Sequence, residues 1–227
     1  MTDDDEDRPG GFASPPCFAH EIDPAYFDPL AVDPQQALDV ARWRKAERKR
    51  LIAARLEEAA DMRARLAQNI AVELDQIIAP AKGRIISVYW PFRGEIDLRG
   101  WMRSAFDKGA QIALPVVVEK HQPLQFREWT PDAAMERGIW NILQPAEPSP
   151  VTPNVVIAPL VGFDPACFRL GYGGGFFDRT LAAMATPPLV IGVGSKSGAI
   201  ASIFPQPHDV AMDVIVTGAG DVRRRKD

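Results

Sequence analysis

The chain reads as an α/β protein: an open, mainly parallel sheet with helices on both faces, preceded by a long helical segment. Three observations predict this. From Arg84 onward, short apolar runs alternate with helix-compatible stretches, the pattern of parallel strands joined by crossover helices. Of 227 residues, 46% are hydrophobic, enough to cover both faces of such a sheet. Four glycines within five positions (Gly171, Gly173, Gly174, Gly175) stand between an apolar run and a helical stretch. A strand, a glycine loop and a helix N-terminus in that order make an anion site.

The elements follow in order. Residues 1–33 are acidic, then rich in Pro, Gly and Ser, without helical periodicity. They are expected to form a loosely docked extension. Asp33-Pro34 opens a helix, with aspartate as cap and proline at the first helical position. Helix formers continue to about Ile78, as one long helix or two with a bend near Ala59 to Asp61. Leu66, Ile70, Leu74 and Ile77 recur at helical spacing and should face the core. Strands are expected at Arg84–Tyr89, Gln111–Leu114, Leu124–Trp129, Val155–Leu160, Leu189–Val193 and Asp213–Thr217. Helices are expected at Asp97–Asp107, Asp132–Arg137 and Gly175–Ala185, and a proline-rich loop at 143–154. Residues 34–218 thus form the single α/β domain. Residues 219–227, with Arg223-Arg224-Arg225-Lys226, read as a solvated basic tail.

Composition narrows the partners. Residues 3–7 supply five acids; without them 25 acids face 26 bases. That balance gives no long-range field for nucleic acid. Two cysteines, Cys17 and Cys167, make no disulfide framework and fit a reducing compartment. Cys17 and His20 form one C-x-x-H pair, without the second pair of a zinc site. No apolar run reaches the roughly 20 residues of a membrane span, and the acidic start is unlike a secretory signal. A cytoplasmic protein is the default expectation, and a monomer the default state.

The glycine segment carries the functional signal. It lacks the Walker pattern, since Ser195 separates Gly194 from Lys196, and it fails the dinucleotide pattern at Phe176. Arg169 before the glycines and Asp178 after them suit a phosphate carried with a divalent metal. A tight turn that merely packs a helix on a sheet is the other reading.

Phe163-Asp164, Arg169-Leu170-Gly171-Tyr172-Gly173-Gly174-Gly175 and Asp178-Arg179 resemble the signature of the 5-formyltetrahydrofolate cyclo-ligases. Four further segments resemble that family in the same order: Glu95-Ile96-Asp97, Ala113 to Val117, Trp140-Asn141-Ile142 with Gln144-Pro145, and Pro207-His208-Asp209 with Asp213. The resemblance implies ATP- and Mg²⁺-dependent closure of 5-formyltetrahydrofolate to 5,10-methenyltetrahydrofolate. It also implies a fold related to ribose-5-phosphate isomerase and CoA-transferases. Departures are Phe176 and Phe177 where the family has tyrosines, Arg44 where it has lysine, and Leu143 where it has proline. They keep a second reading open, a paralogue that binds nucleotide or folate without closing the ring.

Site roles follow from charge and resemblance together. The segment Arg169, Leu170, Gly171, Tyr172, Gly173, Gly174, Gly175, Phe176 and Phe177 is assigned to ATP, its glycine N–H groups holding phosphate oxygens. Arg44 and Arg48, one turn apart on the first helix, are implied as nucleotide contacts, and Arg48 also as a folate contact. Trp90, Glu95, Trp140, Tyr172 and Phe176 are assigned to the folate, whose flat pterin needs stacking faces and an acceptor for its N–H donors. Asp178 is the first choice for a Mg²⁺ ligand and Asp209 the second. Arg169 and Asp178 are the catalytic pair, and alanine at either is expected to stop turnover without harming the fold.

Overall fold

The computed structural model describes residues 34–226. The expectations for residues 1–33, including Cys17, His20 and the Asp33 cap, lie outside the described residues. The compact unit that carries everything below begins at Arg44, inside the first helix.

Two helices open the structure, α1 at Pro34–Glu57 and α2 at Ala60–Ile78. The break falls at Glu58 and Ala59, beside the expected bend. On α2 the buried apolar positions are Ile70, Leu74 and Ile78, while Leu66 and Ile77 are partly buried at the core margin. The 3.6-residue period places the core stripe one residue further along than Ile77.

The sheet then builds through β1 (Ile85–Ser87), β2 (Gln111–Val116), β3 (Gln125–Trp129), β6 (Val155–Pro159), β9 (Leu189–Val193), β10 (Val214–Val216) and β11 (Arg223–Arg224). Its order is β11-β10-β9-β6-β1-β2-β3. The five inner strands are parallel, and β3 and β11 close the edges antiparallel. Helix α3 (Arg99–Asp107) connects β1 to β2, and α4 (Phe176–Ala183) precedes β9.

Strand alternation divides the core in two. Ile86, Val155, Ile157, Ile191, Val214 and Val216 pack with Ile70 and Leu74 of α2 and Trp101 and Met102 of α3. Val156, Ala158, Val190 and Ile215 pack with Leu181 of α4. In β6 all of Val155 to Ala158 are buried. A strand covered on both faces needs an unbroken apolar run of this kind.

Three local expectations are corrected. Asp132 to Arg137 contains no helix; Met135–Arg137 is a strand, β4, paired with β5 at Leu143–Pro145, a segment expected as loop. Six residues barely exceed a helical nucleus, and a partner strand supplies the backbone bonds instead. Arg223 and Arg224 pair with β10 at the sheet edge rather than forming a free tail, although Arg224, Arg225 and Lys226 are exposed, and Arg225 Nη2 lies 3.1 Å from Asp213. A small ribbon, β7 (Gly162–Phe163) with β8 (Arg169–Leu170), intervenes before the glycine loop.

Candidate active site

The chain leaves β1 in opposite directions: β2 lies on one side and β6 on the other. Loops at the carboxyl ends of such strands splay apart and leave a crevice. A cleft of about 470 Å³ lies there, bordered by Tyr89 and Trp90 after β1, Pro115 and Val117 at β2, and Pro159 ending β6. Every site residue expected from the sequence borders this one cleft.

The β7–β8 ribbon sets the glycine segment. Asp164 is buried at its turn; its carboxylate accepts the Ala166, Phe168 and Ile203 N–H groups at 3.0, 3.1 and 3.2 Å. With that turn fixed, Arg169 and Leu170 are held on β8. Gly173 and Gly175 have φ of 97° and 63°, values that side chains with a Cβ rarely adopt. Gly175 stands immediately before α4, so the loop delivers its amides to a helix start. Arg179 Nη2 donates to the Gly174 carbonyl at 2.5 Å and holds the loop from behind.

Charge at this end is arranged in two pairs. Arg169 Nη2 lies 2.8 Å from Asp178 Oδ2, and Asp178 Oδ1 accepts the Val210 N–H at 3.3 Å. Arg44 Nη2 lies 2.5 Å from Asp209 Oδ2 and also donates to the Phe204 carbonyl; its Nε donates to Ile203 O at 2.9 Å. Burial pushes the Asp209 carboxyl up, but the Arg44 fork and the Gln206 N–H outweigh it and hold Asp209 below its ordinary range. Arg44 therefore already has protein partners on all three guanidinium nitrogens. Arg48 does not. Its Nε donates to the Gly171 carbonyl at 2.7 Å, and among the described residues it has no carboxylate partner. Burial, then the Arg44 charge, lower its pKa, against a raising effect of Asp209. Arg44, Arg48 and Arg55 fall at i, i+4 and i+11, one helical face, while Lys45, Lys49 and Arg50 are exposed.

The opposite wall is aromatic and acidic. Between β4 and β5, Trp140 and Asn141 both adopt left-handed backbone, with φ of 57° and 63°. This turn presents Trp140, 58% exposed, edge-on to Phe176 with centroids 5.7 Å apart. Phe177 instead packs on the core, with the Arg169 guanidinium 5.1 Å from its ring centre. Trp90 lies beneath Arg99 at 5.3 Å. Glu95 is partly buried and accepts the Phe92 N–H at 2.9 Å. Burial raises its pKa to about 7, against the lowering effects of that N–H and of Arg55.

Sequence reasoning missed Tyr89, Phe92, Arg93 and Gln144, which also border the cleft. Gln144 lies in the segment that resembles the family but was given no role; nothing in the local sequence of Tyr89, Phe92 and Arg93 sets them apart, because the chain after β1 brings them there. Arg55 was missed for another reason: it shares the face of Arg44 and Arg48, and the i+11 spacing was there to be read.

With the geometry in place, likeness to known proteins can be stated. Residues 40–218 match the 5-formyltetrahydrofolate cyclo-ligase family. The 5-formyltetrahydrofolate cyclo-ligase of Haemophilus influenzae is 28% identical over 159 residues, covering 66% of this chain and 84% of that protein. The Mycolicibacterium smegmatis protein of the same name is 31% identical over 143 residues, covering 60% and 74%. The solved structure of Aquifex aeolicus 5,10-methenyltetrahydrofolate synthetase superposes with a TM-score of 0.70 at 25% identity, over 81% of this chain and 93% of that one. Matched over most of its length and in its fold, the chain belongs to the 5-formyltetrahydrofolate cyclo-ligase family.

Proposed function

We propose that this cleft closes the ring of 5-formyltetrahydrofolate to 5,10-methenyltetrahydrofolate, with ATP converted to ADP and phosphate. One observation carries the reading: a glycine rim with a surplus cation and an aromatic, acidic wall face each other across a single cleft. ATP supplies the phosphoryl group that turns the formyl oxygen into a leaving group; N10 then bonds to the formyl carbon as phosphate departs and the N10 proton is lost.

The residues divide that work. The amides of Gly173, Gly174 and Gly175 hold phosphate oxygens, and Arg48 and Arg169 neutralise charge as it spreads in transfer. Glu95 accepts N–H donors of the pterin, and Trp140 and Phe176 offer ring faces and edges to its plane. The cleft needs no protein nucleophile, since both bond changes occur between the bound reactants.

For Mg²⁺ the fit is that of a supporting ligand. Asp178 and Asp209 each face an arginine, yet each carboxylate keeps further lone pairs. Either can serve as the one protein oxygen that Mg²⁺ takes beside phosphate and water. Among the described residues no group of three or more His, Cys, Asp or Glu could hold a metal alone. Asp178 would hold the ion, with Asp209 second; bound there, it would screen phosphate charge.

Purified protein given Mg-ATP and 5-formyltetrahydrofolate should develop the near-ultraviolet absorbance of the methenyl product. Folded protein that binds either ligand without that change would instead be a non-cyclising paralogue.

A further inference from the structure

Arg55 is buried, 7% exposed, yet its hydrogen bonds go to neutral groups. Nη1 donates to the Leu160 carbonyl at 3.3 Å and Nη2 to the Tyr172 hydroxyl, with the guanidinium 5.5 Å from the Tyr172 ring centre. Its Nε is buried without a partner among the described residues. Burying a cation on such terms is costly, and an apolar side chain would fill the same space more cheaply. Stability alone does not account for it.

What Arg55 touches suggests the reason. Tyr172 belongs to the glycine loop, and its hydroxyl donates to the Phe92 carbonyl at 3.5 Å. Phe92 and Glu95 form a closed turn: the Phe92 N–H donates to Glu95 Oε2 at 2.9 Å and the Glu95 N–H to Phe92 O at 3.1 Å. That turn also rests on the stem of Arg55, since a Cβ on Gly94 would lie 3.6 Å from Arg55 Cγ. One side chain of α1 thus contacts both walls of the cleft.

We propose that Arg55 is a positioning residue: through Tyr172 it fastens the glycine loop to the Phe92–Glu95 turn and keeps a positive charge beside Glu95. This rests on the reading of the cleft given above. The charged and titratable groups around Glu95 are Arg55 from α1, Tyr89 after β1, Arg93 and Asp97 from its own loop, and Tyr172 from the glycine loop. Arg55 is the cation that lowers the Glu95 pKa against its burial. Glu95 accepts pterin N–H donors best when ionised, so folate affinity should fall as pH drops through about 7.

The test is 5-formyltetrahydrofolate binding by tryptophan fluorescence from pH 6 to 9, with KM for folate and for ATP measured separately. Arg55→Met should weaken folate binding roughly 10- to 100-fold at pH 7 and move the pH midpoint up by about one unit, with KM for ATP changed less than about threefold. Arg55→Lys should restore the midpoint but not the affinity, because lysine keeps the charge and loses the fork. Tyr172→Phe should raise KM for folate and leave the midpoint in place. Wild-type affinity and an unshifted midpoint in Arg55→Met overturn the proposal. If that variant does not fold, wild-type folate KM in both Arg55→Lys and Tyr172→Phe overturns it instead. A wild-type protein that binds no folate at any pH defeats the reading of the cleft itself, a separate outcome.

Discussion

The two ends of the cleft are built on opposite terms. At the glycine end, charges are matched in pairs: Arg169 with Asp178 and Arg44 with Asp209, both salt bridges largely removed from water. Arg48, by contrast, borders the cleft and has no carboxylate partner among the described residues. At the aromatic end, little is matched. Glu95 is partly buried with its pKa near neutrality, and Trp140 is largely exposed on a left-handed turn. Such backbone costs of order 1–3 kcal/mol per residue and persists at sites where it does something. The glycine end is therefore held by charge pairs within the protein itself, whereas the aromatic end is not.

Breaking the matched end should produce the largest effects. Arg169→Ala or Asp178→Ala should lower turnover by more than roughly 1,000-fold. Contrary to the expectation from sequence, each should also cost about 3 kcal/mol in stability, because the remaining partner is left buried and unpaired. Thermal melts and the absorbance assay separate the two effects. Arg169→Met with Asp178→Leu together should regain much of the stability and none of the turnover; recovery of activity would return the pair to a purely structural role.

Removing the unmatched charge is a cleaner cut. Arg48→Ala should raise the Kd for ATP about 100-fold by calorimetry and leave the melting temperature nearly unchanged, since the bond lost goes to a carbonyl. A large loss of stability with unchanged ATP affinity would move Arg48 into the structural group with Arg44.

The smallest effect belongs to the aromatic end and has a definite sign. A carboxyl whose folded pKa lies near 7, above its ordinary 4.5, binds a proton in the native state that the unfolded chain has released. Stability should therefore fall as pH rises from about 4.5 through 7. Glu95→Gln should flatten that slope and gain on the order of 2 kcal/mol at pH 8, while abolishing the pH dependence of folate affinity near 7. Unfolding titrations at pH 5 and 8 check this. An unchanged slope would mean that Glu95 stays charged in the folded protein.

Much of this was legible beforehand where the signal is local. The apolar run Val155 to Ala158, the two helices with their break, and the glycines with Arg169 and Asp178 around them are all written in neighbouring residues. Periodicity and backbone freedom act over a few positions, so sequence alone determined the parallel sheet and the place of the glycine loop. Pairing across the chain was not legible. Arg44 is 165 residues from Asp209, and no spacing rule says that this arginine meets that aspartate, or that Asp178 answers Arg169 rather than Arg179. The β4–β5 hairpin was lost for the same reason: a strand is stabilised by its partner, and neither segment announces the other. Only the tertiary structure decided which cations meet a carboxylate and how far Glu95 is pushed toward neutrality. Those properties depend on burial and on distance between remote residues, and neither exists until the chain has folded.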